Sequence, residues 1–98
     1  MIIVIGSVLA KSDSLAELLD LSLEHVQRSR TEPGCLSHDV HRDVENPLTL
    51  VFVEEWEDRA SLEEHFKVPA SRAFARAARA LAAESPTIDI YDAKLLQF

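Results

Sequence analysis

Cysteine and glycine are scarce in this 98-residue chain, and their scarcity excludes several kinds of site. Cys35 is the only cysteine, so neither an intramolecular disulfide nor a metal site built from several cysteines can form. A reducing interior is therefore the expected setting. The two glycines form no phosphate-binding loop, and no Ser-His-Asp arrangement indicates a hydrolase.

Basic residues and long apolar runs are also few. Ten Lys and Arg stand against 17 Asp and Glu, which gives a net charge of −7. Because nucleic acids and anionic membranes bind clustered cations, this balance argues against both as partners. The apolar run Ile2–Leu9 is too short to span a membrane, and no basic segment precedes it. We interpret it as a β-strand and expect a cytoplasmic protein.

Hydrophobic periodicity and turn residues predict four strands and two helical regions within one domain, residues 1–98. A capping box of Ser14 and Glu17 begins the first helix, and Asp58 or Ser61 caps the second region, which restarts at Pro69. In the second strand, Leu36, His38 and Val40 alternate with polar residues. The predicted strands are Ile2–Leu9, 36–41, Leu48–Trp56 and Thr87–Phe98, and the first helix covers about 14–30.

The predicted order, β-α-β-β-α-β, is that of the ferredoxin-like α+β fold. It implies a four-stranded antiparallel sheet with the helices on one face. A chain of this length has nothing left to cover the other face, and small domains are marginally stable alone. A second copy is the natural cover, so we expect a homodimer.

Several short motifs, in order along nearly the whole chain, resemble the antibiotic biosynthesis monooxygenase family. They are Glu32-Pro33-Gly34-Cys35-Leu36, Asn46-Pro47, Glu54-x-Trp56, Leu62-x-x-His65 and Pro69 followed by Phe74. The resemblance implies a dimeric α+β barrel with a pocket in each subunit between sheet and helices. It also implies oxygenation of a small aromatic, quinol-like or polyketide-like substrate without a cofactor.

The resemblance places Trp56, Glu54 and His65 at the positions of the family's strand-end Trp, the acid before it and the helix His. The chain departs from the family at Ala70, where many members have a second His, and at His38, where many have Tyr. Haem-degrading relatives use a His in the last helix and an Asn early in the first strand. This chain has neither, so haem degradation is not expected.

Oxygenation without a cofactor requires a base near neutral pH, a dry pocket and a donor that holds the substrate anion. Histidine suits the base because its unperturbed pKa is about 6.5. His65 is the first candidate, with a solvent-facing helix residue as the alternative. His38 is the second, with a buried structural His as the alternative. His41 is expected near the dimer interface or solvent, and His25 on the helix surface.

The aromatic residues are candidates for the pocket wall. Trp56 could line it and donate its indole N–H to a bound ring, or pack in the core. The predicted substrate-binding residues are Phe52, Glu54, Phe66, Phe74 and Tyr91. Arg72, Arg76 and Arg79 are interpreted as a solvated face that an anionic substrate could use, and Cys35 as a residue without a nucleophilic role.

No metal is predicted, because His38 and His41 are three residues apart on a strand and point to opposite faces. No other cofactor is predicted. The leading hypothesis is a cofactor-independent monooxygenase in which His65 and His38 move protons and Trp56 positions the ring. The alternatives are an isomerase or other enzyme of a small polar metabolite, and a non-catalytic small-molecule binding protein on the same fold.

Overall fold

A computed structural model describes all 98 residues. The elements are β1 (Ile2–Leu9), α1 (Leu15–Ser29), β2 (Cys35–Arg42), β3 (Thr49–Trp56), α2 (Arg59–Lys67), α3 (Pro69–Leu81) and β4 (Thr87–Asp92). The strands form one antiparallel sheet in the order β2-β3-β1-β4. The predicted ferredoxin-like fold is confirmed, with the second helical region divided into two helices before Pro69. None of the three helices has both the length and the apolar composition needed to cross a membrane.

Two predicted helix caps meet different outcomes. Asp58 caps α2, since its Oδ1 accepts from both the backbone N–H and the hydroxyl of Ser61 at 2.8 Å. The capping box at α1 is wrong, because Ser14 makes no capping hydrogen bond. Its hydroxyl instead accepts from the Lys11 N–H and donates to the Leu81 carbonyl at 2.8 Å. Ser14 therefore ties the start of α1 to the end of α3.

The last strand is shorter than predicted. β4 ends at Asp92, which lies opposite Ile2, the first residue of β1. One further bond joins the Ala93 N–H to the Met1 carbonyl, and no residue after Asp92 belongs to a strand. Residues 93–98 therefore lie outside the sheet, and Phe98 is fully exposed.

The inner face of the sheet carries the core, in two adjoining clusters. Along β3, alternate residues from Leu50 to Trp56 are buried, as expected for a strand with helices on one side. The larger cluster is formed by Val8, Ala10, Leu18, Val26, Leu50, Phe52 and Ala78. The smaller one consists of Val4, Trp56 and Leu62. Trp56 is fully buried in it.

A bulge at the start of β2 determines which of its residues face inward. Cys35 lies opposite Trp56 and Ser37 opposite Glu55, so Leu36 is an extra residue without a partner. Leu36 is 58% exposed, whereas His38 is 1% exposed and faces the helices. The predicted alternation is therefore correct for His38 and wrong for Leu36.

Gly34 holds the turn before β2 close to the start of α2. Its φ of +80° lies in the left-handed region, which glycine adopts without steric cost. A Cβ here would lie 2.5 Å from the Ser61 Cβ and closer still to the Ser61 Oγ. No other residue fits this position without a shift of α2. This close approach brings Glu32, two residues earlier, toward the side of α2 that carries His65.

The outer face of the sheet has no helix on it and has an apolar centre. The register places Ile5 and Val53 opposite each other on this face, next to Ile3 and Tyr91. Ile5 is 41% exposed and Tyr91 51% exposed. An apolar sheet face left open in this way is typical of an interaction surface.

Candidate active site

A cavity of about 330 Å³ lies between the inner face of the sheet and the helices. Phe52, Phe66 and Phe74 form apolar walls. His25, His38, His65 and Glu54 also line the cavity. This combination of apolar walls and a few converging polar groups is characteristic of small-molecule sites.

Three histidines from three different elements meet at this cavity. His25 comes from α1, His38 from β2 and His65 from α2, and they are 6%, 1% and 3% exposed. Their ring centroids are 5.1 Å apart for His25 and His38, 5.4 Å for His25 and His65, and 5.8 Å for His38 and His65. The prediction that His25 lies on the helix surface is wrong. It shares the buried face of α1 with Leu18, Ser22 and Ser29.

His65 is held by a carboxylate that was not among the predicted site residues. Its Nδ1 lies 2.8 Å from the Glu32 Oε1. Because a carboxylate only accepts, Nδ1 carries the proton and the neutral ring keeps its lone pair on Nε2. That Nε2 lies 3.9 Å from the Glu54 Oε1, too far for a hydrogen bond. His65 therefore has a fixed tautomer and an unpaired basic nitrogen next to Glu54.

Glu54 is the buried carboxylate of the site. It accepts a hydrogen bond from the Trp56 Nε1–H at 2.9 Å, and its Oε2 lies 3.6 Å from the His38 Nε2. Burial raises the pKa of the Glu54 carboxyl, while the Trp56 hydrogen bond acts in the opposite direction. The indole therefore stabilises the ionised form of Glu54.

His38 and His25 are neutral imidazoles in different surroundings. Burial is the largest cause that lowers the pKa of His38 and of His25 to about 3, and the neighbouring His65 contributes to both shifts. Neither nitrogen of His38 has a hydrogen-bond partner. The His25 Nδ1 accepts from the Arg28 guanidinium at 2.9 Å, and its ring stacks on Phe74 at 4.1 Å between centroids. The other nitrogen of His25 consequently carries a proton.

Two predicted pocket residues lie elsewhere. Trp56 does not line the cavity. Its ring packs against His65 at 4.7 Å between centroids, and its N–H donates a hydrogen bond to Glu54. Tyr91 lies opposite Ile3 on the outer face, because β4 pairs with β1 in a register that turns it away from the helices. The other predicted site residues line the cavity, namely His65, His38, Phe52, Glu54, Phe66 and Phe74.

The remaining candidates lie at the edge of the site or outside it. Of the three arginines of α3, only Arg79 lines the cavity. His41 is exposed on the outer face. Burial raises the pKa of the Cys35 thiol, with a further contribution from Glu54, and this opposes formation of a thiolate nucleophile.

The fold and the cavity define a small ferredoxin-like α+β protein with a histidine-lined pocket on the helical face of its sheet. A family model for antibiotic biosynthesis monooxygenase matches residues 1–77, and the chain belongs to this family. The resemblance found in the sequence motifs is thereby confirmed.

Three relatives illustrate the match. A structure solved as an antibiotic biosynthesis monooxygenase is 32% identical, with a TM-score of 0.89, and covers 97% of this chain and 100% of that one. A candidate monooxygenase of the same description from Deinococcus radiodurans is 26% identical, with a TM-score of 0.94 over 100% of this chain and 97% of that one. The uncharacterized protein sll1783 of Synechocystis is 34% identical over 90 residues. That match covers 92% of this chain but only 61% of the relative's length.

Proposed function

We propose that residues 1–98 act as a monooxygenase that oxidises a small aromatic, quinol-like or polyketide-like molecule without a cofactor. The observation that carries this proposal is the His65 Nε2, an unpaired basic nitrogen at the cavity, with its tautomer set by Glu32 at 2.8 Å. Membership of a family described as monooxygenases supports the reaction class.

The cavity suits a flat apolar molecule with a polar end. Its volume of about 330 Å³ is in the lower part of the range for small-molecule sites. Phe52, Phe66 and Phe74 can pack against aromatic rings. Ser71, whose buried hydroxyl has no partner, and the protonated nitrogen of His25 can hold an oxygen of the substrate.

In the proposed mechanism, the His65 Nε2 takes a proton from an acidic O–H or C–H of the substrate. The resulting anion is electron-rich and reduces O₂ itself, so all the electrons come from the substrate. For a CH₂ group flanked by aromatic rings, one oxygen atom becomes the product carbonyl and the other leaves as water with the two hydrogens of the CH₂. The protein supplies the base, the orientation and the exclusion of water.

The decisive experiment is oxygen uptake by the purified protein with a panel of hydroquinones and anthrone-like phenols. The assay contains a chelator and no added cofactor. We expect protein-dependent uptake with at least one member of the panel and one O₂ consumed per product. Saturable binding of panel members without uptake would overturn the oxygenase proposal in favour of the isomerase or the binding protein.

We also propose that two copies pair through the apolar outer face around Ile5, Val53 and Tyr91. Burying an arginine at the centre of this face would be costly, so Val53→Arg should convert a dimer into a monomer of 11.0 kDa. Light scattering after gel filtration measures the mass. Val44→Arg is the matched control, because Val44 is 94% exposed in a loop. A wild-type protein that runs as a monomer, or equal masses for the two variants, would contradict this interface.

A further inference from the structure

We propose that His25, His38 and His65 also form a binding site for a divalent transition-metal ion such as Zn²⁺ or Co²⁺. Each ring offers one nitrogen, and these three nitrogens all lie within 4.8 Å of one another. The expectation of no metal rested on the pair His38 and His41, which do face opposite ways. The set that converges includes His25, which local sequence spacing does not connect to the other two.

The spacing of the rings fits a three-histidine metal site. With metal–nitrogen bonds of about 2.0–2.1 Å in tetrahedral geometry, the centroids of three ligating imidazoles lie about 5 Å apart. The observed centroid distances are 5.1, 5.4 and 5.8 Å. The rings therefore need to turn their nitrogens toward a common point, with little movement of the backbone.

An unsatisfied buried group supports the same conclusion independently. His38 is 1% exposed, and neither of its nitrogens has a hydrogen-bond partner. Burying a polar group without a hydrogen-bond partner costs free energy, and a bound ion would remove that cost. Of the histidine nitrogens, the His38 Nε2 is also the one nearest to Glu54, at 3.6 Å. A cation there would satisfy the imidazole and the carboxylate together.

Two carboxylates complete the surroundings that such an ion requires. Glu32 accepts from the His65 Nδ1–H, the outer-shell contact that orients metal-bound histidines. Glu54 lies 3.9 Å from the His65 Nε2 and can move in as a fourth ligand. Arg28 opposes binding, because its positive charge lies 2.9 Å from the His25 Nδ1 and repels a second cation at this cluster. We therefore expect Arg28→Leu to tighten the binding of the ion.

This inference goes beyond the proposed oxygenase. An ion bound to the His65 Nε2 occupies the lone pair that would take the substrate proton. Zn²⁺ should therefore inhibit oxygen uptake at about one equivalent per chain. Metal binding itself is measured without any substrate, so the two proposals can fail separately.

The chain has one tryptophan, which makes a direct test possible. The Trp56 ring lies 4.7 Å from the His65 ring, so Co²⁺ bound at the site should quench its fluorescence. Protein freed of metal is titrated with Co²⁺, following both the quenching and the visible bands of tetrahedral Co²⁺. Calorimetry with Zn²⁺ gives the stoichiometry, which we expect to be one ion per chain.

His38→Ala should weaken binding at least about tenfold, since it removes one of three ligands. His41→Ala is the matched control, because this histidine lies on the same strand but on the exposed outer face, and it should leave binding unchanged. Circular dichroism checks the fold of both variants, and His25→Gln replaces His38→Ala if the latter does not fold. No binding by the wild type, or equal affinities for the inner-face and His41 variants, would overturn the proposal.

Discussion

His65→Ala should lower the kcat for oxygen uptake by about 10²–10⁴-fold, the usual contribution of a positioned general base. The variant removes the one cavity nitrogen whose lone pair is both unpaired and held in a fixed tautomer. His38 cannot take its place directly, because no carboxylate holds either of its nitrogens within hydrogen-bond distance. Substrate binding should change much less, since the phenylalanine walls remain.

The same substitution leaves the Glu32 carboxylate without its partner, so some loss of stability is expected, about 1–3 kcal/mol. Oxygen uptake is therefore measured well below the melting temperature of the variant. Imidazole added to the solution can enter the space left by the ring, and partial recovery of turnover would separate loss of the base from damage to the fold. His41→Ala serves as the control. Turnover by His65→Ala equal to that of the wild type would contradict the assignment of the base.

The fold was predictable because the elements alternate with clear turn residues, whereas the histidine cluster was only partly predictable. His25 was misplaced because the leucines of α1 suggest a broad apolar face, yet Leu23 is 47% exposed. The buried face instead carries small polar residues: Ser22 and Ser29 are fully buried. The spacing of Leu18, Ser22, His25 and Ser29, by four, three and four residues, is the signal that could have identified this face.

The other differences between the predicted and the observed site arise from contacts between residues that are distant in the sequence. Glu32 and His65 are 33 residues apart, and no local pattern connects a turn acid with a residue on α2. Their contact depends on Gly34, whose missing side chain lets the turn approach Ser61. Tyr91 depends on strand register, since a shift of one residue would move its side chain to the inner face. The sequence correctly predicts Trp56 at the end of a strand. It does not predict that the indole N–H donates to the Glu54 carboxylate instead of to a bound substrate.

Glu32→Gln should lower kcat by at least about tenfold, and by as much as about 10⁴-fold, with little change in KM. A glutamine amide can donate to the His65 Nδ1, which moves the ring proton to Nε2 and removes the basic lone pair from the cavity. Glu32 does not line the cavity between the sheet and the helices, so contacts with a substrate bound there should be unaffected. It acts as a positioning residue, through His65.

Two measurements distinguish this role from a purely structural one. Nitrogen-15 NMR of the imidazoles reports which His65 nitrogen carries the proton, and Glu32→Gln should populate the Nε2–H tautomer. Glu64→Gln is the matched control, because Glu64 precedes His65 on α2 but is exposed and pairs with Lys67. A tautomer change with unaltered kcat would show that proton transfer does not pass through the His65 Nε2. A large fall in kcat without a tautomer change would mean that the charge of Glu32, rather than its hydrogen bond, supports the base.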